Sequence, residues 1–168
     1  MRHRAGQRAS FTGGMLAIAA LLGLGVAPGR AQVEGKPRIV DGQTLEVAGR
    51  RFHLQGVQAP ALDQVCHRVG RPYPCGKVAR AVLWDLTGGL DVTCTPTADG
   101  GAAAVAVPAT CTAGAADLNQ GMVDSGWALA DGAAGNAYAA LEDAARAAGR
   151  GLWSGEFELP GRPAPVAE

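Results

Sequence analysis

The chain has 168 residues, enough for one compact domain, and its 15 basic residues balance its 15 acidic ones, so overall charge does not draw it to nucleic acid. Outside one N-terminal run, no stretch is apolar enough to span a membrane.

The N-terminus reads MRHRAGQRASFTGGMLAIAALLGLGVAPGRAQ, a basic start, an apolar run from Met15 to Ala27 and small residues up to Ala31. This pattern predicts a secretory signal peptide over residues 1–31, with Gly29 and Ala31 in the small-residue positions. The apolar run falls short of the roughly 20 residues that cross a bilayer, so a retained anchor is the weaker reading. No twin-arginine pair is present, which favours export of an unfolded chain. Arg2, Arg4, Arg8 and Arg30 leave with the signal, so 11 basic residues face 15 acidic ones in the mature chain, a net charge of −4. Residues 32–80 carry 8 Lys and Arg against 4 Asp and Glu, whereas residues 81–168 carry 3 against 11.

Residues 38–47 and 51–57 alternate in polarity, with Phe52 and Leu54 opposed to Arg51, His53 and Gln55, and Ala48-Gly49-Arg50 turning between them. This predicts a β-hairpin. The Pro-containing stretch 59–76 reads as loop. From Lys77 to Leu86, Val78, Val82 and Leu86, with Ala79 and Leu83, recur at helical spacing, and Gly88-Gly89 stops the helix. Residues 90–95 and 103–112 read as strands joined by a turn at Asp99-Gly100-Gly101. Asp117 and Gln120 have capping-box spacing for a short helix that ends before Gly126. Trp127–Ala130 reads as extended. Tyr138, Leu141, Ala145 and Ala148 form one stripe of a helix running from near Asn136 to Gly149. Gly151-Leu152-Trp153 docks its end, and residues 158–168 form a Pro-rich tail. The element order predicts an α+β fold, a small barrel with helices at its side and end.

All four cysteines, Cys66, Cys75, Cys94 and Cys111, lie beyond the signal, and an even count in an exported chain predicts disulfides. Sequential pairing closes two short local loops and is the expected one. Zinc is the competing reading, but no pair has Cys-x-x-Cys spacing and only His53 and His67 stand near enough to help.

Val40-Asp-Gly-Gln-Thr-Leu45 and His53-Leu-Gln-Gly-Val-Gln-Ala-Pro-Ala61 resemble the staphylococcal nuclease family. The likeness continues through Tyr73-Pro-Cys-Gly-Lys-Val-Ala79, Asp117-Leu118, Gly126-Trp-Ala128 and Ala144-Ala-Arg-Ala-Ala-Gly-Arg-Gly-Leu-Trp153. It covers residues 36–157, so the domain is taken as residues 32–157, and the cysteines match exported bacterial members. The resemblance implies a five-stranded OB-fold barrel with about three helices. It also implies a calcium ion, held by two aspartates, and phosphodiester cleavage by a glutamate and two arginines.

In this chain the first ligand position is Gln43, the first arginine position His53, the second ligand position Gln58 and the glutamate position Ala61. Asp41, an accessory acid in the family, remains. No Arg occurs between Arg80 and Arg146, so the second arginine is absent under any alignment. Calcium takes six to eight hard oxygens and gains affinity from carboxylate charge, which glutamines lack. Ala61 has no group to deprotonate a water, and His53 replaces a guanidinium fork poorly. The expectation is a dismantled site, with no catalytic residue at His53 or Ala61 and no metal at Asp41, Gln43 and Gln58.

Taken singly, Asp41 reads as a turn former, His53 as a pocket-lining or strand-surface residue, and His67 as solvated. Arg50 and Arg51 read as a solvated hairpin tip. Trp84, Trp127 and Trp153 read as core. The leading function is an exported, catalytically inactive binding or scaffold module, monomeric, periplasmic or secreted, without cofactor, and with an envelope protein or a small ligand as partner. The alternatives are a calcium-dependent endonuclease acting on DNA or RNA, and an OB-fold ligand- or nucleic-acid-binding module. Nucleic acid is the weaker ligand for an acidic mature chain.

Overall fold

A computed structural model describes residues 31–97, 105–132 and 137–158. Residues 1–30 of the expected signal peptide, the expected turn at Asp99-Gly100-Gly101, Asn136 and the expected tail from residue 159 lie outside them.

Two short strands, β1 (Val33–Gly35) and β2 (Pro37–Ile39), precede the hairpin of β3 (Thr44–Val47) and β4 (Arg50–Leu54). The hairpin turns on Ala48 and Gly49, both left-handed (φ 48° and 75°), a geometry whose twist matches the flanking strands. Leu45, Val47, Phe52 and Leu54 are fully buried, as the alternation requires. On the other face Glu46 stands between Arg38 and Arg51, in register across three strands. Arg38 Nε reaches Glu46 Oε2 at 2.9 Å and Arg51 Nη2 reaches Oε1 at 2.7 Å. The Arg38 guanidinium, and then Arg51, hold the Glu46 carboxyl below the ordinary range. Arg51 is therefore ion-paired and only Arg50 is an exposed hairpin tip.

Strand β5 (Val57–Gln58) leads into the stretch read as loop, which contains a second hairpin, β6 (Cys66–Arg68) and β7 (Arg71–Tyr73). It carries no apolar alternation and is held from outside. The Cys66–Cys75 disulfide closes its base, and His67 exchanges backbone hydrogen bonds with Glu156 (2.9 and 2.8 Å). Its turn, Val69 and Gly70, is again left-handed (φ 51° and 68°).

Helix α1 (Cys75–Thr87) starts two residues before the expected Lys77, because Pro74 presets the backbone and Cys75 is tied by its disulfide. Cys75, Gly76, Ala79, Leu83 and Thr87 form its buried stripe, and Gly88 closes it in the left-handed conformation (φ 58°). Trp84 falls outside the stripe and is 53% exposed, against the expectation of a core residue; Trp127 and Trp153 are half-buried.

Strands β8 (Val92–Pro96) and β9 (Val107–Ala113) pair antiparallel, with Cys94 opposite Cys111 and bonded to it. Both disulfides thus follow the sequential pairing. After β10 (Ala116–Asp117), α2 (Leu118–Asp124) is capped by Asp117, whose Oδ1 accepts the Gln120 N–H at 3.0 Å. Strand β11 (Leu129–Ala130) pairs with β5, and α3 (Ala139–Ala147) ends before a 3₁₀ turn at Gly151–Ser154. Of the stripe expected on α3, Ala145 is buried, Tyr138 and Leu141 pack at the core edge, and Ala148 is exposed.

The fold is α+β, with three α-helices and a mixed sheet among the described residues. The main sheet runs β1-β8-β9-β4-β3-β2, with β10 beside β9; it is antiparallel except between β4 and β9. This hydrogen-bonded path is open, ending at β1 and β2 rather than closing on itself.

Burial raises Tyr73 above the ordinary phenol value, the Arg68 guanidinium over its ring opposing, and burial followed by Asp117 raises Tyr138. These are the only tyrosines of the chain. The fold favours their neutral forms, so the stability they contribute is whole below the ordinary phenol value of 10.0 and is lost as pH rises through the folded values. Tyrosinate absorbance during alkaline titration is expected to rise late and to coincide with loss of structure. A reversible step at the ordinary value, with the fold intact, would contradict this.

Candidate functional site

Asp41 and Gln43 lie in the turn between β2 and β3, His53 in β4, Gln58 in β5, and Ala61 in the segment leading to β6. The turn is tight. Val40 and Asp41 N–H groups both donate to the Thr44 carbonyl (2.9 and 3.2 Å), and Asp41 Oδ1 accepts the Gln43 N–H at 2.9 Å. Asp41 is thus the turn former its sequence context predicts. Gly42 presses the turn against α1: a Cβ there would stand 2.8 Å from Ala79 Cβ and 2.9 Å from Ala59 Cβ.

Gln43 joins three pieces of chain. Its backbone carbonyl accepts the Leu54 N–H at 2.8 Å, and its side-chain Oε1 accepts the Ala59 N–H at 2.7 Å. Gln43 therefore stitches the turn to the end of β4 by its backbone and to the segment after β5 by its side chain. His53 is half-buried, opposite Thr44 on β3 and Pro108 on β9. Gln58 is half-buried opposite Leu129.

The structure brings Asp41, Gln43 and the 58–59 segment together. Ala61 lies farther along, exposed, with its carbonyl accepting the Gln64 N–H at 2.9 Å. The first turn of α1 is laid on that carbonyl, since a Cβ on Gly76 would come within 1.7 Å of it.

Chemically Asp41, Gln43, Gln58 and His53 offer one carboxylate, two neutral amides and an imidazole. The Gln43 oxygen that could face a metal is turned to a backbone N–H. Among the described residues no three His, Cys, Asp or Glu side chains gather into a ligand set. The donor set does not fit calcium, which gains its affinity from several carboxylates. Neither Ala61 nor any arginine between Arg80 and Arg146 supplies the base or the second cation of a phosphodiester cleavage.

A separate groove of about 440 Å³ opens between one face of α1 and β2. Ile39 and Leu62 in its lining stand close in sequence to Asp41 and Ala61, but it shares none of the five positions. The sequence reading missed it because it assigned Trp84 to the core. It also missed two polar residues on which the scaffold depends. Asn119 is fully buried on α2, and Glu142 is buried on α3, where it accepts the Ala130 N–H at 2.7 Å. Among the described residues no helix is long and apolar enough to cross a membrane.

No family profile matches the chain. Among known proteins it is similar to the succinoglycan biosynthesis protein ExoI of Rhizobium meliloti (strain 1021), 30% identical over 143 residues that cover 84% of this chain and 75% of ExoI.

Proposed function

The chain belongs to the family of the succinoglycan biosynthesis protein ExoI, and we propose that it serves glycan biosynthesis as a non-catalytic binding module in an exported, nuclease-like OB-fold. The carrying observation is the Gln43 side chain. At a position where the nuclease resemblance implies a calcium-ligating carboxylate, the side-chain oxygen instead accepts the Ala59 N–H at 2.7 Å. The site has exchanged a metal ligand for an internal tie. Asp41 is the one carboxylate beside it, held in its own turn by the Gln43 N–H, and Gln58 and Ala61 carry neither charge nor base.

The OB reading draws support from the ends of the sheet path. Strands β1 and β2 are separated only by Lys36, so one bent segment runs along both edges of the sheet. A bent strand shared by two edges is how small barrels manage their open edges. Export to the periplasm or beyond is supported by two disulfides with no free cysteine among the described residues, a pattern of oxidising compartments. The partner is an envelope protein or a small ligand of the glycan pathway.

Calcium titration by calorimetry and digestion of single-stranded DNA and RNA, from neutral to alkaline pH, test this reading. The protein is expected to show no saturable calcium binding in the micromolar range and no cleavage above a mock preparation. Micromolar calcium affinity, with cleavage abolished by a chelator and by Asp41→Ala, would establish the calcium-dependent endonuclease instead.

A further inference from the structure

We propose that the groove between α1 and β2 binds an anionic oligosaccharide, a stretch of glycan that carries carboxylates. This inference rests on the reading of the chain as a binding module in glycan biosynthesis and names the ligand class and the surface.

Lys77, Arg80, Ala81 and Trp84 stand at helical i, i+3, i+4 and i+7 positions on one face of α1 and face Pro37 and Ile39 of β2 across the groove. The buried stripe of the helix is offset from this face, so the Trp84 indole is left 53% exposed and Leu62 beside it 38% exposed. A half-exposed indole with an apolar floor of Pro37, Ile39, Ala81 and Leu62 is a surface that a flat, C–H-rich ring can cover.

The polar groups fix the sign of the ligand. Lys77 and Arg80 are exposed, and among the described residues neither has an ion-pair partner. Arg38 also lines the groove, but its guanidinium is engaged by Glu46, a carboxylate it shares with Arg51. Among the described residues no acidic side chain lines the groove. The free cations are therefore an ammonium and a guanidinium flanking an indole, and the guanidinium can take a carboxylate through paired N–H donors. A sugar acid presents both features on one unit, an apolar ring face and a carboxylate at its edge. The volume, about 440 Å³, suits a di- or trisaccharide by the scale of small-ligand sites.

Other occupants fit less well. Single-stranded nucleic acid is held by successive stacking aromatics along a cationic track, whereas this groove has one aromatic and two free cations. A protein interface would place the Lys77 ammonium in its desolvated centre, where lysine is depleted.

Calorimetry on the full mature chain with tetragalacturonate, neutral cellotetraose and an oligothymidylate tests the proposal, with circular dichroism checking that each variant is folded. Tetragalacturonate is expected to bind more tightly than cellotetraose and the oligothymidylate, and to weaken as salt rises. Trp84→Ala and the double variant Lys77→Ala/Arg80→Ala are each expected to reduce its affinity about tenfold, the scale of losing a central anchor. Trp84→Phe is expected to retain most of it. Failure of tetragalacturonate to bind, equal affinity in the folded variants, or tighter binding of the oligothymidylate would each overturn the assignment. A null with the glycan leaves the binding-module reading standing, because that reading falls only to calcium-dependent cleavage.

Discussion

Asn119→Ala is expected to destabilise the fold by about 3–5 kcal/mol, through orphaned backbone groups and the space left behind. Asn119 is fully buried at the start of α2. Its Oδ1 accepts the Cys111 N–H at 3.0 Å, while its Nδ2 donates to the carbonyls of Gln55 at 2.9 Å and Ala109 at 3.1 Å. This is where the parallel pairing of β4 with β9 ends, at Leu54 opposite Ala109. One amide thus completes the backbone pairing that the two strands leave unfinished. The Ala109 carbonyl keeps a second donor, the Gln55 N–H at 2.9 Å, so truncation strands chiefly the Cys111 N–H and the Gln55 carbonyl. Asn119→Asp retains the acceptor but sets a carboxylate against two carbonyls, and is expected to cost as much at neutral pH and less in acid. Urea unfolding, read as a shift in midpoint at constant slope, measures both variants. A loss below about 1 kcal/mol for Asn119→Ala would show that water replaces the amide.

Nothing around Asn119 in the sequence marks it out, and that contrast explains which parts of the fold were legible. The β3–β4 hairpin announced itself because Leu45, Val47, Phe52 and Leu54 alternate about a turn that tolerates left-handed backbone. The α2 cap was legible for a local reason too, since Asp117 and Gln120 interact within one turn. Periodicity reports apolar burial, so it overlooked the β6–β7 hairpin, whose pairing is imposed by a disulfide and by Glu156, a residue distant in sequence. It also overlooked Glu142, which occupies a polar slot on α3 yet is buried to hold one backbone N–H of β11. At the candidate site, the sequence shows only that Gln43 brings no charge to a metal. Only the fold assigns its oxygen to Ala59, because that contact spans the turn and the segment after β5. Trp84 was misassigned for a simpler reason: large aromatics are usually covered, and a surface that leaves one open is visible only once the rest of the helix has been placed.

Removal of the Cys94–Cys111 disulfide by paired substitution to alanine is expected to cost about 3–5 kcal/mol, more than removal of Cys66–Cys75 at about 2–3 kcal/mol. Loop closure alone does not separate the two. Their sequence separations, 17 and 9 residues, differ too little to matter when the entropy grows only with the logarithm of loop size. Packing separates them. Cys94 and Cys111 are fully buried in the main core, directly opposite one another on β8 and β9, so losing both sulfurs opens a void within that core. Cys66 and Cys75 belong to a smaller cluster with Leu129, Leu152 and Phe157, under a hairpin that can detach without opening the sheet. Their loss should read as local release: faster backbone exchange in residues 66–75, with the main transition largely kept. It should also loosen the Leu62 side of the α1–β2 groove, because Cys75 begins the helix that carries Lys77, Arg80 and Trp84. Melting curves of the two paired variants, and of the native protein with and without reductant, decide the matter. If full reduction left the transition unmoved, neither bridge would stabilise the fold, and the dependence on an oxidising compartment would go with it. If the two variants fell equally, the core would be closing over the missing sulfurs, and the entropy of the open chain would account for the whole effect.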